Sequence, residues 1–458
     1  MKQKENIEIL SKMPIGKALL KLSLPAAIGM IVMALYNIVD SIFVGRGVGA
    51  MAIAGLATVF PIQMIMMALA QTIGIGGASI ISLSLGADNK IYAEKIFGNL
   101  ISMILILSLI LTPLTYFFLD EILFLFGARG EIFEYSKDYF KIILWGGPFI
   151  SFAMVVNSTT RAEGNANVAM ITMLISSLIN LILDPIFIFL FKWGMEGAAW
   201  ATVISQISAA IYLAYYYLTG KSVLKFHQKY LRLDKKIVGE TLALGASSLA
   251  RQLSSSIMIA VLNHGLVIYG GEIAVAVFGT IYRLLMIVLM PILGVLQGFT
   301  PIAGYNYGAE NYKRVREVIS VANRATTVIG IVGMLVMLLF SKQLIGIFST
   351  DAELISGGSI ALWYFAVTLP IIGFQIIGSG YYQAVGKALP SLFLSLARQV
   401  FFLIPLVVIL PLFWGLNGIW ISFPLADLLA AIVTFFMMNK SLNKLKIKIN
   451  DTVKIVAE

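Results

Sequence analysis

The chain of 458 residues has no cysteine and only two histidines, His227 and His264. Without thiols it forms no disulfide, no thiolate or iron–sulfur centre, and no cysteine nucleophile. Two isolated histidines leave too few ligands for a histidine-based metal site. Charge is scarce too: Asp, Glu, Lys and Arg make up 12% of the residues, about half the share in a soluble domain. Hydrophobic residues fill 59% of the chain, and the mean hydropathy is +0.92. These values imply an integral membrane protein. Apolar runs of about 20 residues recur along the chain, a length that suits spanning helices and not the short alternating strands of a barrel.

The net charge of +10 does not point to nucleic acid, because of where the bases lie. They cluster near the start (Lys2, Lys4, Lys12, Lys17, Lys21), in a central segment (Lys221, Lys225, Lys229, Arg232, Lys235, Lys236) and in the tail (Lys440, Lys444, Lys446, Lys448). Intervening loops carry acids such as Asp120, Glu121, Glu131, Glu134 and Asp351. By the positive-inside rule both termini and the central segment are expected in the cytoplasm, with the chain multi-pass in the cell membrane. A charged start leads straight into a full-length span, so no cleavable signal peptide is expected.

Spans are expected near 17–42, 52–82, 96–118, 138–160, 168–191 and 196–218. A second set follows near 238–268, 273–299, 318–340, 356–382, 390–413 and 417–438. These twelve helices imply an all-α membrane protein with an N-lobe over 1–219, a cytoplasmic linker over 220–240, a C-lobe over 241–440 and a tail over 441–458.

The two sets echo each other at a shift of about 222 residues. Leu85-Gly86-Ala87-Asp88-Asn89 recurs as Tyr307-Gly308-Ala309-Glu310-Asn311. Arg161-Ala162-Glu163-Gly164-Asn165 aligns with Gln383-Ala384-Val385-Gly386-Lys387, and Trp193-Gly194-Met195-Glu196-Gly197 aligns, one residue out of step, with Trp414-Gly415-Leu416-Asn417-Gly418. An even number of spans per half gives the two lobes the same orientation, related by a pseudo-twofold axis along the membrane normal. Such a pair of bundles encloses a cleft that rocking can expose to either face.

Within the apolar stretch 176–202, Asn180 and Asp184 lie four residues apart on one helix face. A carboxylate at that depth costs a few kcal/mol and is a functional candidate by default. Pro185 removes a backbone hydrogen bond and frees a carbonyl near Leu181. The comparable acid of the first span is Asp40, which shares a face with Tyr36 and Asn37. At the repeat shift Asp40, Asn180 and Asp184 map onto Leu262, Phe402 and Leu406, so these polar groups belong to the first half alone. Arg251, Arg283 and Arg398 of the second half map onto Gly29, Pro61 and Ser176. They are read as organisers of that lobe or as contacts for an anionic substrate group, with Asp427 a plausible arginine partner. Glu163, near a predicted cytoplasmic turn, is read as a salt-bridge or gate residue. The run Gly74-Ile75-Gly76-Gly77 has no strand before it and is read as close helix packing, not a phosphate loop.

At these anchors the sequence resembles the multidrug and toxic compound extrusion (MATE) family over almost its whole length, from about residue 17 to 439. The set Asp40, Asn180, Asp184 and Thr202 is similar to the DinF-like prokaryotic branch, where the matching residues form a sodium or proton site in the N-lobe. Some relatives also carry acids on the seventh and tenth spans; here those spans offer Arg251, Gln252 and Gln375. The resemblance implies a site of two carboxylates, an amide oxygen and a hydroxyl around one cation; Tyr139 and Asn157 of the fourth span are read, from their place in the sequence, as extending the network. Such an all-oxygen shell suits a hard cation, and two close carboxylates also hold a proton, so Na⁺ and H⁺ both remain open. No other cofactor and no metal beyond Na⁺ is implied. The expected function is multidrug efflux by cation antiport, in a chain acting as a monomer on small organic substrates. A lipid-linked precursor flippase of the same wider group is the rival. An enzyme or a channel is disfavoured, since neither a catalytic cluster nor a filter-like segment is evident.

Overall fold

A computed structural model describes residues 2–348 and 351–457 of the chain; Glu458, the last residue of the expected tail, lies outside them. A short helix α1 (Lys2–Ser11) precedes α2 (Ile15–Gly47), α3 (Ala50–Gly86), α4 (Lys90–Phe117), α5 (Leu119–Leu125), α6 (Gly130–Ala162), α7 (Ala166–Pro185) and α8 (Gly194–Leu218). After the central segment come α9 (Lys235–Gly308), α10 (Tyr312–Leu339), α11 (Ser341–Gly346), α12 (Ala352–Ala366), α13 (Leu369–Ala384), α14 (Ala388–Leu396), α15 (Ile404–Ile409) and α16 (Pro411–Ala457). No strand occurs among the described residues.

Among the described residues ten helical stretches are long and apolar enough to cross a bilayer, one of them the run 388–409 that joins α14 and α15 through a π-helical segment. At 1.5 Å per residue, the 74 residues of α9 would extend about 110 Å, several times a bilayer's hydrocarbon core. Gly271, at φ 65°, breaks α9 into two helices and so into two crossings. A further crossing is the pair α12 and α13, bent by 46° where Pro370 starts the second helix. With that pair counted as one span, eleven such stretches occur among the described residues, and the break at Gly271 divides one of them into two, against the twelve expected from the apolar runs.

The repeat anchors turn out to be helix boundaries. Asp88 and Glu310 both adopt left-handed backbone, at φ 56° and 57°, and the asparagine after each caps the next helix: Asn89 accepts from Tyr92 N–H and Asn311 from Arg314 N–H. Gly164 and Gly386 occupy the same left-handed region one turn motif later, as do Gly194 and Gly415. What recurs at 222 residues is the set of turns that ends one span and starts the next.

By internal packing the described residues form two compact units: 2–10 with 25–245, and 11–24 with 246–348 and 351–457. The first has a core around Val59, Leu123, Phe140, Leu144 and Val203. The second is built around Leu262, Ile281, Phe365, Val407 and Phe423. Large apolar side chains such as Leu109, Phe117, Leu218 and Ile287 stay exposed along the spans, the surface that a bilayer covers. Close approach explains the glycine run of α3. A Cβ on Gly74 would meet Val155 and Ser158 of α6, one on Gly76 the Thr241 carbonyl oxygen at 2.0 Å, and one on Gly77 the Leu100 side chain of α4.

Candidate functional site

The first unit contains a buried polar cluster contributed by four spans. Asn180 and Asp184 project from the last turns of α7, one turn apart and almost wholly buried. Helix α7 ends at Pro185, after which the chain continues as a π-helical turn, Ile186–Leu190. Proline cannot support the regular i to i−4 ladder, and π turns often accompany functional positions. The Asn180 amide donates to Asp184 Oδ1 at 3.4 Å and to Thr202 Oγ1 of α8 at 3.2 Å. Tyr139 of α6, buried, lies beside Thr202 and within electrostatic range of Asp40 and Asp184. The carboxyl group of Asp40 on α2 lies within electrostatic range of Asp184. Tyr36, one turn before Asp40, lies within electrostatic range of both acids.

Three oxygens of the cluster are buried without a hydrogen-bonding partner: Asp40 Oδ1, Asn180 Oδ1 and Asp184 Oδ2. Buried acceptors are nearly always satisfied, so three at one level call for a positive or protonated occupant. Four oxygen-bearing side chains can surround one hard monovalent cation, or the acid pair can hold a proton. A multi-acid cage for a divalent ion is absent: no group of three or more His, Cys, Asp or Glu is assembled among the described residues.

The structure thus brings together Tyr36, Asp40, Tyr139, Asn180, Asp184 and Thr202. It does not bring in Asn37, which is exposed and donates to the Met33 carbonyl of its own helix at 2.7 Å. Asn157 is spent elsewhere too: its Oδ1 accepts from the Arg161 guanidinium, and its amide donates to the Ala169 carbonyl at 2.9 Å.

Glu163 is buried in the turn after α6, and among the described residues it pairs with no base. Its oxygens accept instead from Tyr216 Oη at 2.5 Å, Ser222 Oγ at 2.6 Å, and the backbone N–H groups of Val223 and Leu224 at 2.9 and 3.4 Å. Neutral donors have taken the place of the expected salt bridge, because the returning segment at 222–224 carries its amides to the carboxylate. Burial still outweighs these donors and pushes the Glu163 carboxyl up to about 7.

In the second unit Arg398 Nε bonds Asp427, whose other oxygen accepts from Thr368 Oγ1 at 2.7 Å. Gln375 donates to the Asp427 carbonyl at 2.7 Å while its own Oε1 is buried and unpartnered. Gln399 donates to Ser255 Oγ at 2.8 Å. Arg251 is half-buried, while Gln252 and Arg283 are exposed. Thr368 was not a sequence candidate; the bend between α12 and α13 that presents it depends on tertiary packing.

Sequence reasoning also missed a polar clamp at the start of α4. Asn99 donates to the Tyr230 and Arg232 carbonyls at 3.1 and 3.3 Å and accepts from Asp234 N–H at 2.7 Å. Ser102 donates to the Leu231 carbonyl at 2.6 Å, and Lys95 pairs with Asp234 at 2.5 Å. A fully buried asparagine at the head of an apolar run was the available signal.

Among known proteins, the multidrug export protein MepA of Staphylococcus aureus (strain MSSA476) is 28% identical over 452 residues, 98% of this chain and 99% of that one. A crystal structure of MATE in complex with MaL6 superposes with a TM-score of 0.91 at 30% identity, covering 96% of this chain and 99% of that one. The outward-facing conformation of a multidrug resistance MATE family transporter of the MOP superfamily gives a TM-score of 0.90 at 30% identity, with the same coverage. The family model MatE matches residues 25–186 and again 244–409, one copy in each half of the repeat. With both halves matched and the fold shared almost end to end, the chain belongs to the MatE family.

Proposed function

We propose that this protein is a cation-driven antiporter that exports organic, often cationic or amphipathic, compounds in exchange for Na⁺ or H⁺. The observation that carries this reading is the trio of unpartnered buried oxygens on Asp40, Asn180 and Asp184, in a family whose relative MepA is a multidrug export protein. Thr202 orients the Asn180 amide, and Tyr36 and Tyr139 flank the acids, so the shell around the ion is held from α2, α6, α7 and α8. Filling it lowers the repulsion between the two carboxyl groups and changes how the α2 segment after Pro25 packs against its neighbours. Substrate binding that favours the other packing gives the negative coupling that exchange requires, between two global states of alternating access. An inward monovalent cation supplies about 2.3 kcal/mol per 100 mV for the uphill step.

The protein is read as a monomer in the cell membrane with both termini and the linker cytoplasmic, following the distribution of lysine and arginine. The flippase alternative needs free guanidinium groups for a pyrophosphate, and Arg398 is already engaged by Asp427.

The test uses proteoliposomes loaded with a fluorescent cationic dye, with Na⁺ and H⁺ gradients imposed separately. One gradient should drive dye movement in the wild type. Asp40→Asn and Asp184→Asn should each lower the coupled flux by about 5–150-fold, the span of a coupling free energy of about 1–3 kcal/mol. Folded variants that transport at the wild-type rate would refute the site.

A further inference from the structure

Arg398 and Asp427 map, at the 222-residue shift, onto Ser176 and Ser205. The mapping holds in space: the two serine hydroxyls hydrogen-bond each other at 3.4 Å, across the fifth and sixth spans, as the arginine and aspartate do across the eleventh and twelfth. One contact in one fold is thus made by neutral hydroxyls in the first half and by opposite full charges in the second. A buried ion pair is a poor choice for stability alone, since desolvating both charges offsets most of their attraction. The serine pair shows that the fold needs no charge there.

We propose, on the footing of the first-unit ion site above, that Arg398 is a tethered cation that permanently occupies Asp427, so that only the first half exchanges an ion with solution. Arg398 lies in the π-helical segment Ala397–Leu403, as the first-half acid Asp184 lies just before the π turn Ile186–Leu190. The first unit has two carboxyl groups and three oxygens awaiting a partner. In the second, a single carboxylate meets a guanidinium that neither loses its proton nor diffuses away. Thr368 and Gln375 complete that environment, and Tyr282 is the titratable neighbour of Arg398. The unpartnered Gln375 Oε1 remains as an oxygen ligand for a small cation once the guanidinium is gone. Arg398 is therefore a specificity-determining residue: it sets the number of coupling ions per cycle.

Thermal unfolding of the full-length protein is measured against Na⁺ at constant pH, with choline balancing ionic strength, and against pH at constant Na⁺. In Asp40→Asn/Asp184→Asn the cation-dependent rise in melting temperature should vanish. Adding Arg398→Gln should restore a saturable rise with Na⁺ or with protons, and a further Asp427→Asn should abolish it. A folded Arg398→Gln chain in that background with no cation response overturns the proposal. So does a response that persists with Arg398 intact and is removed by Asp427→Asn, because the guanidinium then fails to block the second acid. A response untouched by any of the four substitutions refutes the first-unit site itself. If Arg398→Gln is recovered only unfolded, the reversal potential of wild-type dye exchange decides: one coupling cation per dye is expected, and two would overturn the proposal.

Discussion

Glu163 and Asp184 are both fully buried carboxyl groups, yet their oxygens are treated in opposite ways. Four neutral donors saturate Glu163, whereas Asp184 Oδ2 is left bare. A group that ties a turn to its neighbours gains from every donor it collects. One that holds a removable ion has to keep an oxygen in reserve. The Glu163 carboxyl, at about 7 in the fold against an ordinary 4.5, binds its proton more tightly folded than unfolded. Its stabilising contribution is complete below the ordinary value and is lost as pH rises through the folded one. The melting temperature should accordingly fall between about pH 4.5 and about pH 7 in the wild type, and Glu163→Gln should flatten that slope. An unchanged slope would show that other groups carry it. At this scale Asn180 and Asp184 were legible in the sequence because an acid in an apolar run has few explanations. Asn37 was not: it shares a face with Asp40, but a short amide also reaches its own helix carbonyl, and that local bond won.

Helix packing in the first unit depends on two reciprocal approaches. A Cβ on Gly76 of α3 would lie 2.0 Å from the Thr241 carbonyl oxygen of α9, and one on Gly245 of α9 would lie 1.9 Å from that of Thr72 on α3. Both obstacles are backbone, so neither can swing aside. Gly245→Val should therefore cost more than the usual 1–3 kcal/mol of overpacking, read as a loss of folded, monodisperse protein. Gly279→Ala is the control. Its Cβ would meet nothing within 4 Å, so it should be neutral or stabilise by about 0.4–1 kcal/mol. Equal behaviour of the two would show that helix propensity, and not contact, governs these positions. That the α3 glycines serve packing was readable from their setting in an apolar span. Their partner in α9 was not, because it lies some 165 residues further on and no local pattern specifies it. The bend at Pro370 and the two π segments escaped for the same reason: each is a compromise between spans.

Across the whole chain, the repeat was the most legible feature, because its anchors are turns whose left-handed residues and caps cannot be exchanged freely. The unit boundaries follow it as well. They fall before Pro25 and before Ala246, one residue from the repeat register, so each half's first span changes unit partway along. The segment that joins the halves reads in sequence as a basic, solvated linker, with Lys221, Lys225, Lys229, Arg232, Lys235 and Lys236. In the fold it is a strap. Asn99 and Ser102 of α4 hold the backbone from Tyr230 to Asp234, Glu94 accepts from Lys225 N–H and faces His227, and Gly98 leaves room for Tyr230. A strap anchored along its backbone resists proteolysis despite its many basic residues, because a protease has to pull several residues into an extended strand before it can cut. Asn99→Leu orphans two carbonyls and one N–H at once, at about 1–3 kcal/mol for each group left buried. Limited trypsin digestion in detergent should cleave the Asn99→Leu chain between its halves well before the wild type, yielding two fragments of similar size. Cleavage of both at the same rate would mean that the linker is free in solution and that these hydrogen bonds do not hold it.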